Sequence, residues 1–149
     1  MAGKSTISIG LMMYRALEDF INQTINGTFY PPQTVNSEGG DVAVRGADAT
    51  TEDAVLTVAS ATAGQVQNGT ARLNIYVADI DWGQPNKIAN TARLQEIAEA
   101  GWHMLELLNS DDTDYLFDFA QAPNAGAVPG KAEHYVNFTI KFKRVAFNN

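Results

Sequence analysis

Apolar and polar residues alternate most cleanly from Thr70 to Asp81, where Leu73, Ile75 and Val77 fall on one face of a strand and Arg72, Asn74 and Tyr76 on the other. The pattern predicts one core-facing side. Asp79 and Asp81, followed by Trp82-Gly83-Gln84-Pro85, end the strand, because proline and glycine disfavour further pairing. Upstream, Ala54 to Ala61 is rich in Val and Thr and alternates weakly, and Gln67-Asn68-Gly69 carries the Asn-Gly signal of a tight hairpin turn. Residues 54–63 are therefore expected to pair antiparallel with 70–79. Near the end of the chain, from about His134 to Phe147, Val136, Phe138, Ile140 and Phe142 separate from Asn137, Thr139, Lys141 and Lys143. Tyr115, Phe117 and Phe119 alternate with Leu116 and Asp118 as a further strand.

Two segments carry helical periodicity instead. Between Ser5 and Asn26, Ile7, Leu11, Tyr14, Leu17, Ile21 and Ile25 recur at steps of three and four, with Ser5 or Ser8 as N-cap and Gly27 as the stop. Met12, Met13 and Phe20 widen the apolar surface beyond a narrow stripe. The second helix starts at Asn86 or Asn90 and reaches about Leu108, with Ile88, Leu94, Ile97, Ala98, Gly101, Leu105 and Leu108 facing inward. A glycine inside a helix costs about 1 kcal/mol relative to alanine, so Gly101 implies close packing on a sheet.

Between these elements, Phe29-Tyr30-Pro31-Pro32 reads as an extended edge or loop, since proline lacks the ladder's N–H. Glu38 to Asp53, with Gly39, Gly40 and Gly46, predicts a long mobile loop or a short hairpin arm. A second loop is expected from Ala120 to Lys131. Helix, hairpin, helix and strand pair make an α+β fold: one domain over 1–149, a mainly antiparallel sheet with two helices on one face.

A chain of 149 residues buries about 68–70% of its unfolded surface, enough for one sizeable core. Its net charge of −7 argues against a nucleic-acid surface, which gains affinity from Lys and Arg. The absence of cysteine removes disulfides, zinc-thiolate sites and cysteine nucleophiles. With no signal-peptide pattern at the first residues and no long apolar run, the chain reads as soluble and cytoplasmic, without membrane contact.

The familiar chemical signatures are not met. Gly3-Lys4-Ser5-Thr6 lacks the upstream glycine and strand of a phosphate-binding loop, and Gly126 to Lys131 has the wrong spacing with Pro129 in the way. Asp79-Ile80-Asp81 fails as a calcium loop, because Gln84 and Asn90 stand where glycine and glutamate are required. Asp111, Asp112, Asp114 and Asp118 read as a solvated helix-ending loop, and His103 and His134 are too few for a metal site. Trp82 and Trp102 are assigned to buried packing. The reading is of a chain without catalytic residues, cofactor or metal.

The order of elements is more informative. The Leu17-Glu18-Asp19-Phe20 helix, the Arg72-Leu73-Asn74-Ile75-Tyr76-Val77 strand, the helix through Trp102 and the closing His134-Tyr135-Val136-Asn137-Phe138 strand together resemble the tail-terminator or tail-completion proteins of long-tailed phages. The segment 38–53 is longer and richer in glycine than that family's. The resemblance implies a non-enzymatic minor tail protein of phage or prophage origin, a ring at the end of a tail tube that is assembled in the cytoplasm and carried in the virion. It implies a homo-oligomer, with a hexamer among its sizes, and tail tube or neck proteins as partners. An acidic lumen would let DNA pass without holding its phosphates.

A ring requires a head-to-tail contact between two different patches. The candidate interface comprises Met12, Met13, Phe20, Phe29, Tyr30, Lys141, Lys143 and Arg144, with the basic trio pairing across the subunit boundary with Asp111 to Asp118, and the 38–53 arm ordering on assembly. The alternatives are another head–tail connector, neck or baseplate component, or a small-molecule-binding domain whose site has no recognised signature.

Overall fold

The computed structural model describes residues 4–34, 40–63, 66–110 and 114–145. Within them the elements run α1 (Thr6–Thr24), β1 (Phe29–Thr34), α2 (Gly40–Arg45), β2 (Ala54–Ala61), β3 (Val66–Ala78), α3 (Thr91–Ser110), β4 (Tyr115–Phe119), β5 (Asn124–Ala127) and β6 (Glu133–Val145). The fold is α+β. Six strands form one sheet in the order β1-β2-β3-β6-β4, with β5 also on β6. All pairs are antiparallel except β1 with β2.

That one parallel pair explains the long segment before β2. Parallel strands cannot be joined by a tight turn and need a crossover of about a dozen residues or more. The segment between β1 and β2 is this crossover, and its described part, 40–53, holds the short helix α2 in place of a hairpin arm. The first part of the expected arm, 38–39, lies outside the described residues. β1 is an edge strand, and its register shifts between Tyr30 and Gln33, where Pro31 and Pro32 supply no N–H.

The hairpin pairs Ala54 with Ile75, Leu56 with Leu73 and Ala61 with Gly69. Its turn is not at Asn68-Gly69, however, because β3 begins at Val66. Gly69 is a ladder residue, and a Cβ there would overlap the Phe142 ring and the Ser60 carbonyl oxygen. Its lack of a side chain serves packing across the sheet rather than a turn. Residues 120–131 likewise contain more than a loop, since β5 pairs with the first half of β6.

α1 covers β1 and β2, α3 covers β3, β4 and β6, and the two helices touch along their sides. Ser5 caps α1 through its hydroxyl, which accepts from the Ser8 N–H at 3.1 Å, and Asn90 caps α3 by accepting from the Arg93 N–H at 3.2 Å. The buried row of α1 is Ile9, Met13, Leu17 and Ile21, a single ladder of four-residue steps; Ile7 and Leu11 instead point to solvent. Gly10 sets this orientation, because a Cβ there would stand 2.9 Å from the Cβ of Pro32. α1 ends as Ile25 turns extended, without a left-handed glycine. Gly27 is small for another reason: a Cβ there would overlap the Asp53 carboxylate.

On α3 the inner face collects Leu94, Ile97, Gly101, Met104, Leu105 and Leu108. At Gly101 the Phe138 ring occupies the space of a Cβ, the close approach that the mid-helix glycine implied. The core between the layers is completed by Leu73, Ile75, Val77, Val136, Ile140 and Phe142. Burying such side chains contributes about 1.5–3 kcal/mol each.

Candidate functional site

The opposite face of the sheet is only partly covered. At one end sits α2. Tyr76, expected on the wetter face, is buried there: its hydroxyl donates to the Asp41 carboxylate, and the Arg45 guanidinium lies 4.0 Å over its ring. Arg45 Nε donates to Asp53 Oδ2 at 3.0 Å, Nη1 and Nη2 donate to the two oxygens of Glu133 at 2.9 and 3.0 Å, and Nη2 also reaches the Thr51 carbonyl. Asp53 in turn accepts from the Thr28 N–H and the Thr51 hydroxyl.

This cluster lines a cavity of about 350 Å³ with Val42, Pro129, Lys131 and Tyr135. Lys131 Nζ stands 3.4 Å from Glu133 Oε1 and also donates to the Ala49 carbonyl. Each charged group therefore has a partner within the chain. Burial and the adjacent Asp41 carboxylate push the Tyr76 phenol far above its ordinary value, so it is a hydrogen-bond donor and not a base. The bonds to Glu133 and Asp53 outweigh burial at Arg45 and hold its guanidinium above its ordinary value. Chemically the arrangement is a clamp that fixes α2 and the loop before β2 onto β3 and β6.

A second polar pair lies at the start of β6. His134 Nδ1 is 2.6 Å from Asp79 Oδ1, beside a groove of about 440 Å³ lined by Thr91, Gln95, Asn124 and Val136. The contact orients the imidazole. Among the described residues lining the groove there is no serine or cysteine for it to activate, and none of the described His, Asp and Glu side chains gather as a group of three around a metal position.

Away from α2, the outer face is bare. Cross-strand neighbours Asn68, Lys143 and Leu116 form one row, Thr70, Lys141 and Asp118 the next, and Arg72 follows beside Thr139. Leu116 is 69% exposed, and a groove of about 520 Å³ runs between Leu116, Lys141 and Lys143. On the helix layer, Gln95, Glu96, Glu99, Trp102, His103 and Glu106 form the exposed stripe of α3. Trp102 is 52% exposed, its ring edge-on to Phe119, and Trp82 is 54% exposed with its indole N–H on the Asn86 carbonyl; neither is the buried packing residue expected.

The eight candidate interface residues are thus dispersed. Met13 and Phe29 are core residues and present no surface. Met12 and Phe20 are half-buried, Phe20 against the His103 ring, and Tyr30 is half-buried on the edge strand. Lys141 and Lys143 are exposed on the outer face, whereas Arg144 faces the core and its Nη2 reaches Asp114 Oδ2 at 3.3 Å. Of the basic trio, Arg144 meets an acid of the 111–118 segment inside its own chain, and the pairing of β4 with β6 sets Asp118 in register with Lys141. Asp111 and Asp112 lie outside the described residues. The Arg45 clamp had one local signal in the sequence: an arginine and an aspartate, Arg45 and Asp53, at the two ends of a short polar segment.

The structure defines a two-layer α+β protein with a buried ionic clamp and an uncovered outer sheet face. Among the described residues no helix is long and apolar enough to cross a membrane. A scan of the sequence against protein-family models finds no match, and a search of curated proteins finds none.

Proposed function

We propose that this chain is a structural assembly protein of a phage or prophage virion, a tail-terminator-like subunit that joins copies of itself into a ring at the end of a tail tube. The observation that carries this reading is the distribution of exposed large apolar side chains over both layers: Ile7 and Trp102 on the helices, Leu116 on the outer sheet face. Single exposed apolar residues are common on monomers, but an assembly subunit needs anchors on two distinct sides, and exposed apolar side chains on both layers support that role. The ionic clamp supports the same reading, since its buried charges are occupied with each other and serve rigidity.

Electron microscopy and analytical ultracentrifugation of the purified chain test it. Rings with a central opening, and capping of one end when the protein is added to purified tail tubes, are the expected results. A monomer at every concentration that leaves tube ends unchanged would refute the reading.

A further inference from the structure

The two uncovered surfaces of this protein carry opposite charge and lie on opposite layers. Among the described residues, the bare part of the outer sheet face holds Arg72, Lys141 and Lys143 against one carboxylate, Asp118, in a chain whose net charge is −7. The exposed stripe of α3 holds Glu96, Glu99 and Glu106 around Trp102. Each surface also has an apolar centre: the groove beside Leu116 on the sheet, and the half-exposed indole on the helix.

We propose that successive copies of the chain associate head to tail, with Trp102 of one copy seated in the groove formed by Leu116, Lys141 and Lys143 of the next. Glu99 and Glu106, one helical turn to either side of Trp102, face the two lysines. The proposal rests on the assembly reading above and names the contact that reading requires. A second copy is the occupant that fits, because the chain itself supplies both the anionic surface and the cationic one. Tryptophan in a desolvated pocket is the commonest kind of interface anchor, and lysines beside its ring add cation–π attraction. Since the helix stripe and the sheet groove lie on different layers, one contact leaves the complementary surface of each copy free. A head-to-tail contact of this kind closes as a ring when the rotation between successive copies divides a full turn.

Charge reversal with rescue tests the contact. Lys141→Glu with Lys143→Glu, and separately Glu99→Lys with Glu106→Lys, are expected to weaken self-association about tenfold or more, as measured by sedimentation velocity. Trp102→Ala should weaken it about 30-fold. All these side chains are exposed, and circular dichroism checks that each variant is folded. Mixing the two charge-reversed proteins restores both complementary contacts, so assemblies should reappear in the mixture, as they should in the variant carrying all four substitutions. A wild-type oligomer indifferent to every substitution, or reversals that the mixture does not rescue, would overturn this contact and leave the ring reading standing. A wild-type monomer at all concentrations would overturn both.

Discussion

Arg45 and Glu133 meet through two parallel N–H···O bonds of 2.9 and 3.0 Å, although 88 residues separate them in the chain. The pair fastens the end of α2 to the start of β6, and the same guanidinium holds Asp53 just before β2. Fork-shaped contacts of this kind are specific to arginine, whose planar donors match a carboxylate.

Removing that guanidinium takes a cation from two buried carboxylates, leaving Glu133 with Lys131 at 3.4 Å and Asp53 with the neutral donors of Thr28 and Thr51. Arg45→Ala is expected to destabilise the fold by about 3–5 kcal/mol, read as a lower midpoint in urea unfolding. Arg45→Lys should recover only part of the loss, since one ammonium cannot serve Asp53 and both oxygens of Glu133. A wild-type midpoint in Arg45→Ala would show that the clamp contributes nothing to stability.

The Tyr76 hydroxyl predicts a response to alkali. Burial and the Asp41 carboxylate raise its pKa in the folded state, whereas the unfolded chain releases the proton near pH 10. Above that pH the unfolded state binds fewer protons than the folded one, so stability falls as pH rises. The limiting slope is about 1.4 kcal/mol per pH unit for this one group. Tyr14, raised by burial and by Glu18, acts in the same direction. Tyr76→Phe should unfold with a shallower pH profile above pH ~10. An unchanged slope would mean that the phenol titrates equally in both states.

Gly101→Ala sets helix propensity against packing. Propensity alone favours alanine by about 1 kcal/mol. The Phe138 ring occupies the position of the new methyl group, with Phe119 Cζ 3.2 Å away, and Phe138 is buried. Overpacking should win and lower stability by about 1–3 kcal/mol. Thermal unfolding gives the sign directly, and a stabilised variant would show that the ring can step aside.

Asn109 near the end of α3 imitates a strand partner: its Nδ2 donates to the Phe117 carbonyl at 2.9 Å and its Oδ1 accepts from the Phe117 N–H at 2.8 Å. β4 is an edge strand, and this side chain satisfies backbone groups that β6 does not. Asn109→Ala should cost about 1–2 kcal/mol and speed amide exchange at Phe117. Exchange at the wild-type rate would argue that the edge is protected by other means.

Periodicity was legible wherever it was uninterrupted. The α+β class, the 54–61 with 70–78 hairpin, the helix starting after Asn90 and the two faces of β6 all follow from residues close together in sequence, because side-chain direction repeats every 2 or 3.6 positions. The parallel pairing of β1 was not legible, since prolines mask its pattern and its partner lies beyond a long crossover. The same distance hid the clamp. Nothing local to Arg45 indicates that Glu133 is near it, and Tyr76 counted as a wet-face residue until α2 was seen to cover it.

The sequence by itself determined the faces of β3 and β6 and most of the inner face of α3, because burying an alternating or helical stripe is a local demand on the chain; Ile88, expected on that helix face, lies before α3 and is exposed, while Met104 joins the core. Only the tertiary structure decided which charges are occupied and which are free. Arg144 turned inward to Asp114, while Lys141 and Lys143 stayed exposed on the outer face. The physical reason is that an ion pair depends on separation in space, and strand order sets that separation: pairing β4 and β3 on either side of β6 decides what each of these side chains can reach.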